Sequence, residues 1–288
     1  MQPVRPQAKK KRTTATRKKR KPDNRWPNRF KLIVAGILLI LLSPFYYGYV
    51  LKTFTATWQW IKDIGGDPRY RTYSGFNVRI PRKYTMFGID VSYAQGKIDW
   101  KQVRAMEEDE VRIHFAFVKA TEGLTLVDPY FQRNWREAAK AGIVCGAYHY
   151  FHPRKDGKQQ ARFFLQTVPH GDGDLPMVAD VETLDGLSPL VLRKELKAFL
   201  SHLEKKTGSK PIIYTGLSFY RDYLEGHFEG YKLWIAHYYK AELKAGKNTN
   251  WVFWQQSDDA RVNGINHSVD FNVYRGDSTS FRSLLVYD

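Results

Sequence analysis

The stretch Pro176-Met177-Val178-Ala179-Asp180-Val181-Glu182 is a short apolar run that ends in two carboxylates separated by one residue. Side chains alternate across a β-strand, so Asp180 and Glu182 are expected on one face and Val181 on the other. At a rise of about 3.3 Å per residue, the two acidic Cα atoms would lie roughly 6.6 Å apart. That separation suits two acids that act on one bond between sugars. The alternative is a strand that enters a polar loop with two solvated acids.

From residue 85 onwards, short β-rich runs alternate with helical stretches, and this alternation predicts a parallel sheet. The predicted strands are 87–92, 112–120, 144–151, 176–182, 212–215, 233–238, 251–257 and 269–274. The predicted helices are 100–108, 129–141, 157–168, 189–203 and 218–224. The last three strands have little helix between them. The fold class predicted from this pattern is α/β, an irregular TIM-like (β/α) barrel.

Acidic residues stand at the ends of several predicted strands. Asp90, Asp180 and Glu182 lie at C-terminal strand ends, the face that carries the active sites of such barrels. Asp270 lies at the start of the last strand, which would close beside the first strand and so approach Asp90. The sequence therefore predicts one pocket for all four acids. Carboxylates this close in a partly dry pocket resist ionising together, so one of them should hold its proton near neutral pH.

The net charge of +17 is concentrated at the N-terminus. Residues 1–31 carry thirteen Lys and Arg against one acid, and they have too few aliphatic side chains to fold. Residues 32–51 contain no charge and would form a helix of about 30 Å, which matches the hydrocarbon thickness of a bilayer. The positive-inside rule then predicts an uncleaved single-pass anchor with a cytoplasmic N-terminus. A cleaved signal peptide is the alternative.

Three further features have structural interpretations. The basic clusters of the tail could contact nucleic acid, but attraction to anionic membrane lipids needs fewer assumptions, so no nucleic-acid partner is expected. Cys145 is the single cysteine and lies in an apolar run, which predicts a buried, inert thiol. His149 and His152 lack a third ligand at a useful spacing, so they are interpreted as structural histidines, and no metal or other cofactor is expected.

The ordered segments of residues 85–288 resemble the family 25 glycoside hydrolases, the lysozymes typified by fungal, streptomycete and phage muramidases. The matching segments are FGIDVS (87–92), IDW (98–100), FAFVKATEG (115–123), AGIVCGAYHYF (141–151), ADVE (179–182), PIIYTG (211–216), LWIAHY (233–238), FWQQS (253–257) and VDFN (269–272). The resemblance implies a barrel of about five β/α units plus three further strands. It also implies cleavage of the β-1,4 bond between N-acetylmuramic acid and N-acetylglucosamine in the glycan strands of peptidoglycan.

The resemblance also implies roles for the acids. Glu182 matches the family's proposed general acid, and Asp180 matches the other acid of its Asp-x-Glu motif, acting as nucleophile or orienting the substrate's N-acetyl group. Asp90 and Asp270 match additional aspartates of the cleft. The aromatic residues on the matching strands are Tyr148, Tyr150, Phe151, Tyr214, Trp234, Tyr238 and Trp254. Alternation lets only about half of them face the cleft. Those predicted to bind sugar are Tyr148, Tyr214 and Trp234.

Two residue pairs leave two interpretations open. Lys119 and Glu122 lie in the matching Lys-Ala-Thr-Glu-Gly segment, where they could form an ion pair that braces the strand end or contact the substrate. Gln255 and Gln256 could serve as hydrogen-bonding groups of the core or as sugar contacts.

These inferences predict four segments: a basic tail (1–31), a transmembrane helix (32–51), a stalk (52–84) and a barrel domain (85–288). The leading hypothesis is a peptidoglycan hydrolase anchored in the bacterial inner membrane, with inner-membrane lipids around its anchor and its catalytic domain on the periplasmic side. The alternative is a catalytically weak or inactive barrel that binds cell-wall glycan. Retention of all four acids argues against that alternative, because charges are costly to bury together.

Overall fold

The computed structural model describes residues 32–33, 37, 69–240, 242–246 and 249–287. The chain divides into two units, 1–55 and 56–288, and the elements below all belong to the second. The strands are β1 (Tyr70–Tyr73), β2 (Val78–Pro81), β3 (Phe87–Val91), β4 (Glu107–Glu108), β5 (Val111–Glu122), β6 (Leu126–Val127), β7 (Val144–Tyr150), β8 (Val178–Asp180), β9 (Ile212–Gly216), β10 (Lys232–Ala236), β11 (Trp251–Ala260) and β12 (Val269–Tyr274). The α-helices are α1 (Trp100–Ala105), α2 (Phe131–Lys140), α3 (Gly157–Thr167), α4 (Pro189–Thr207), α5 (Leu217–Phe219) and α6 (Ser278–Arg282). A 3-10 turn spans Tyr93–Gln95, and a π turn spans Tyr220–Leu224.

Eight strands close into a barrel in the order β3, β5, β7, β8, β9, β10, β11 and β12, with β12 returning to β3. The first seven pair in parallel. Strand β12 runs antiparallel to both of its neighbours. The short strands β4 and β6 extend β5 outside this ring, and β1 and β2 form a separate hairpin.

The predicted fold class, an irregular TIM-like (β/α) barrel preceded by a transmembrane helix, is wrong. A TIM barrel has parallel strands throughout, each followed by a helix. Here β12 reverses direction, and the described residues between β10 and β12 contain no helix. The structure is an eight-stranded β-barrel that carries helices beside only part of its circumference.

The predicted inner-membrane localisation is also corrected. Most of residues 1–68, which hold the expected tail, the expected span at 32–51 and most of the expected stalk, lie outside the described residues. Within the part of the chain that the structure describes, no helix is long and apolar enough to cross a membrane. The longest described helix, α4, carries Lys and Arg along its length. The single-pass anchor and its lipid partners are therefore not retained.

Apolar side chains form two layers, one inside the barrel and one outside it. Inside, Phe117 stacks on Trp234 with ring centroids 4.3 Å apart, and Phe115 lies 5.5 Å from Phe281 of α6. Such aromatic pairs add about 0.5–1.5 kcal/mol each beyond their burial. These rings fill the barrel below the C-terminal ends of its parallel strands, so space for a pocket remains at that end.

The outer layer lies between the strands and the helices. Helix α4 shows how the sequence builds it, because its buried residues recur at a helical spacing along one face. They are Leu192, Leu196, Phe199, Leu200 and Leu203. The helix ends where Gly208 adopts the left-handed conformation, with φ of 69°.

The folded unit includes a hairpin before residue 85. Residues 70–81, which the sequence assigns to the stalk, form β1 and β2. Phe76 in the turn is fully buried, and its ring lies 6.0 Å from that of Phe271 in β12. The backbone N–H of Arg261 donates to the carbonyl of Phe76 at 2.9 Å. The hairpin is therefore packed on the outside of the barrel.

Gly88 of β3 lies where a side chain would collide with the barrel interior. A Cβ atom there would lie 2.4 Å from the ring of Phe115 and 2.5 Å from its carbonyl oxygen. We expect Gly88→Ala to lower the free energy of unfolding by about 1–3 kcal/mol. The matched control is Gly216→Ala, because that residue has open space around its Cβ position and a φ of −68°. Urea denaturation of both variants checks this, and equal stabilities would contradict it.

Candidate active site

A pocket of about 270 Å³ opens at the end of the barrel where the parallel strands terminate. Its lining residues are Asp90, Ser92, Lys119, Tyr148, Tyr150, Asp180, Glu182, Tyr214, Trp234, Tyr238, Gln255 and Asp270. All seven residues predicted as catalytic or sugar-binding are in this set. The structure therefore brings together side chains from all eight barrel strands or the residues that closely follow them.

Strand β8 delivers Asp180 and Glu182 to the same wall of the pocket. The backbone N–H of Val181 donates to the carbonyl of Tyr214 at 2.9 Å, so strand-like pairing with β9 continues past Asp180. Val181 is fully buried in the outer apolar layer. The alternation read from the sequence is thus the alternation observed.

Asp90 and Asp270 face each other directly across the β3–β12 pair. The antiparallel direction of β12 puts its first residues beside the last residues of β3, and this is how Asp270 reaches the pocket. Burial, followed by the charge of Asp90, raises the pKa of Asp270 to about 9. Burial also raises the pKa of Asp90 to about 6, although hydrogen bonds, including one from Asp270, act against this rise. These directions favour one shared proton near neutral pH, held on Asp270 and hydrogen-bonded to the Asp90 carboxylate.

Two buried amides hold Asp90 from the other side. The amide nitrogens of Gln255 and Asn272 donate to its Oδ2 at 2.8 and 2.7 Å. The amide oxygens are themselves occupied: Gln255 accepts from the Tyr214 hydroxyl at 2.7 Å, and Asn272 accepts from Trp234 Nε1 at 2.7 Å. Each amide is therefore fixed with its donor group towards Asp90, which stabilises the ionised form of that acid.

Asp180 and Glu182 differ in their surroundings. Asp180 is 6% exposed, and burial, followed by the nearby charge of Glu182, raises its pKa well above the ordinary value. Its Oδ1 is buried and has no hydrogen-bond partner among the described residues. Glu182 is exposed at the pocket surface. Removal from water in the concave pocket raises its pKa as well, while the Tyr214 hydroxyl and the Lys119 charge lower it.

The aromatic walls differ from the prediction in how much surface they offer. Trp234 is 2% exposed and Tyr214 is 7% exposed, so they line the pocket but offer little ring surface to a ligand. Tyr148 and Tyr150 are half-buried, and Tyr238 at the rim is exposed. These three tyrosines present more ring surface to a ligand than the two buried rings do.

Phe151 and Trp254 pack in the outer apolar layer and do not reach the pocket. Gln255 and Asn272 are the site residues that the sequence could not single out, although Asn272 lies two positions after Asp270 and so shares its face of β12. The sequence allows either a core or a sugar-binding role for Gln255, and its amide is buried against Asp90. Gln256 points elsewhere and donates to the carbonyl of Arg79.

The histidines of β7 and the loop after it lie outside the pocket. His149 is fully buried and hydrogen-bonds to Thr121 Oγ1 at 2.7 Å and Gln160 Oε1 at 3.2 Å. Burial lowers its pKa to about 3, so its ring is neutral. In the described part of the chain, no group of three or more His, Cys, Asp or Glu is arranged to hold a metal ion.

A barrel-end pocket with paired carboxylates and aromatic walls is the arrangement of a glycoside hydrolase, which places acids around the bond it cleaves. The profile of glycosyl hydrolases family 25 matches residues 89–265. YegX from Escherichia coli O6:H1 is 45% identical over 248 residues, which cover 86% of this chain and 91% of that protein. Lysozyme M1 from Streptomyces globisporus is 32% identical over 212 residues, which cover 68% of this chain and 70% of that protein.

The structure of a family 25 glycosyl hydrolase from Bacillus anthracis superposes with a TM-score of 0.64 at 33% identity, covering 70% of this chain and 94% of that chain. The chain therefore belongs to family 25 of the glycosyl hydrolases. It is a glycoside hydrolase of the lysozyme, or muramidase, class.

The raised pKa of Asp270 predicts a pH-dependent gain of stability on its replacement. Below the unfolded-state pKa of about 4, Asp270 is protonated in both states and does not oppose folding. As pH rises from there towards the folded-state pKa of about 9, the unfolded state loses this proton first, so the folded state becomes less stable. An asparagine carries no charge at any pH and can still donate to Asp90. We expect Asp270→Asn to raise the free energy of unfolding by about 1 kcal/mol near pH 7 and to give no gain near pH 4.

Urea denaturation at the two pH values measures this difference. Asp222→Asn, which changes an exposed acid of the π turn, is the control and should leave stability unchanged at both. A gain for Asp270→Asn that is equal at the two pH values would contradict the raised pKa.

Proposed function

We propose that the protein hydrolyses the β-1,4 bond between N-acetylmuramic acid and N-acetylglucosamine in peptidoglycan, with Glu182 as the general acid. The observation that carries the proposal is the exposure of Glu182 on a wall whose other acids, Asp90 and Asp180, are buried. A group that protonates a leaving oxygen must reach the substrate and must hold its proton near neutral pH. Glu182 reaches the open pocket, and removal from water there raises its pKa in the direction that a general acid needs.

Asp180 supplies the second acid of the reaction. Its carboxylate lines the pocket and could attack the anomeric carbon, or it could accept the N–H of the substrate's own N-acetyl group and so orient that group for attack. Both roles need Asp180 in its ionised form, which burial and Glu182 oppose and the Lys119 charge favours. A thiazoline mimic of the cyclised N-acetyl group separates them, because it should inhibit only if the N-acetyl group attacks.

Asp90 and Asp270 set the net charge of the pocket. Their shared proton leaves a single negative charge on the pair, held in place by two amides. This fixed charge raises the proton affinity of the acids next to it and would stabilise positive charge that develops on the sugar ring in the transition state.

Replacement of Glu182 tests the proposal directly. Glu182→Gln keeps the shape of the side chain and removes its proton, so we expect hydrolysis of purified peptidoglycan to fall about 100- to 10,000-fold. The control is Glu225→Gln, which changes an exposed acid that does not line the pocket. Release of soluble fragments measures the rate, and an undiminished rate would remove Glu182 from the mechanism.

Mass spectrometry of the fragments identifies the bond. After borohydride reduction, muramitol at the released end is expected from the muramidase reaction, whereas reduced glucosamine would contradict the proposed bond. If the wild-type protein binds peptidoglycan but releases no fragment, the glycan-binding alternative is favoured instead.

A further inference from the structure

The described residues place one cationic side chain in the wall of this acidic pocket. Lys119 of β5 is 9% exposed, and its Nζ lies 2.7 Å from Glu122 Oε2. The same ammonium lies 5.2 Å from the centroid of the Tyr150 ring. An almost buried lysine with these two contacts has little rotational freedom, so its charge is fixed relative to the pocket.

The pairing of Lys119 with Glu122 depends on an irregularity in β5. Residues three apart on a regular strand point to opposite faces. Between Lys119 and Thr121 the register against β7 shifts by one residue, and Thr121 then faces outwards to His149. This bulge turns Glu122 back to the pocket side of the strand, where it meets Lys119. Bulges commonly re-aim side chains beside active sites.

Glu122 is in turn held by a chain of contacts that leaves the pocket. Its Oε1 lies 3.1 Å from His152 Nε2, and His152 Nδ1 lies 3.5 Å from Asp185 Oδ2. Because Glu122 is engaged through both oxygens, it cannot swing away from Lys119 without breaking a second contact. The bulge and this chain together act as a clamp on the ammonium group.

We propose that Lys119 is a positioning residue for the reaction. Its clamped ammonium favours the ionised form of Asp180, and the charge of Glu122 limits this effect. The role of Lys119 in catalysis rests on the proposed function. The effect of Lys119 on the ionisation of Asp180 can be measured in the free protein without substrate.

The groups that face Asp180 predict opposite effects on its pKa for the loss of Lys119 and the loss of Glu122. They are Asp90 from β3, Lys119 and Glu122 from β5, Tyr148 and Tyr150 from β7, Tyr214 from β9, and Glu182 from its own segment. Burial and the acid charges raise the pKa of Asp180, and Lys119 is the group that lowers it, while Glu122 raises it. Loss of the lysine should therefore favour the protonated acid, and loss of the glutamate should favour the ionised acid.

Carbon-13 NMR titration of side-chain carboxyl groups in the free protein tests the inference, with the Asp180 signal assigned from its loss in Asp180→Asn. We expect Lys119→Met to raise the pKa of Asp180 by about 1 unit and Glu122→Gln to lower it. Lys119→Arg should restore the wild-type value. The matched control is Lys140→Met, because Lys140 forms the same i,i+3 ion pair with Glu137 on the surface of α2.

The pH profile of kcat/KM gives the second readout. Its acidic limb should move to higher pH in Lys119→Met and to lower pH in Glu122→Gln, whereas a purely structural role would lower the rate and leave the limb in place.

An unchanged Asp180 titration in both variants, or shifts of the same sign, would overturn the inference. If Lys119→Met does not fold, the direction of the Glu122→Gln shift decides alone. If the wild-type protein shows no turnover, the proposed function fails, and the NMR titration still decides the role of Lys119.

Discussion

Asp90 and Asp270 lie opposite each other on neighbouring strands, and two carboxylates in that position cannot both be ionised in a buried site. The rest of the site follows from the single proton that they share. It leaves one oxygen of Asp90 free to accept from two amides, and those amides are oriented by a tyrosine hydroxyl and an indole N–H from β9 and β10. One protonation state therefore fixes side chains on five of the barrel strands.

The barrel stabilises this cluster of acids by separating its apolar interior from the polar pocket. Stacked aromatic rings fill the lower interior and hold the strands at a fixed spacing, so that polar side chains meet only at the end where the parallel strands terminate. Burying several acids there opposes folding, because each raised pKa records a preference for the neutral form over the ionised one. The apolar layers on both faces of the sheet offset that cost, as expected where a functional site is built at the expense of stability.

The sequence predicted the local elements well and their directions less well. The period-two pattern at 176–182 located Asp180 and Glu182 on one face because that pattern depends only on strand geometry. The direction of β12 depends on which edges are left to pair when the barrel closes, and no local pattern encodes it, so the TIM-like class was wrong. The hairpin at 70–81 carried a usable signal in its alternating residues around Ser74-Gly75-Phe76-Asn77, but its basic side chains suggested a stalk. The roles of Gln255 and Lys119 depend on a buried amide network and a strand bulge, which form only in the folded barrel.

The most direct test of this account is a neutron diffraction structure at neutral pH, which locates the protons of the four pocket acids. We predict a deuteron on Asp270 that points to Asp90, with Asp90 ionised and accepting from Gln255 and Asn272. Four ionised carboxylates, or a deuteron on Asp90 with Asp270 ionised, would contradict it.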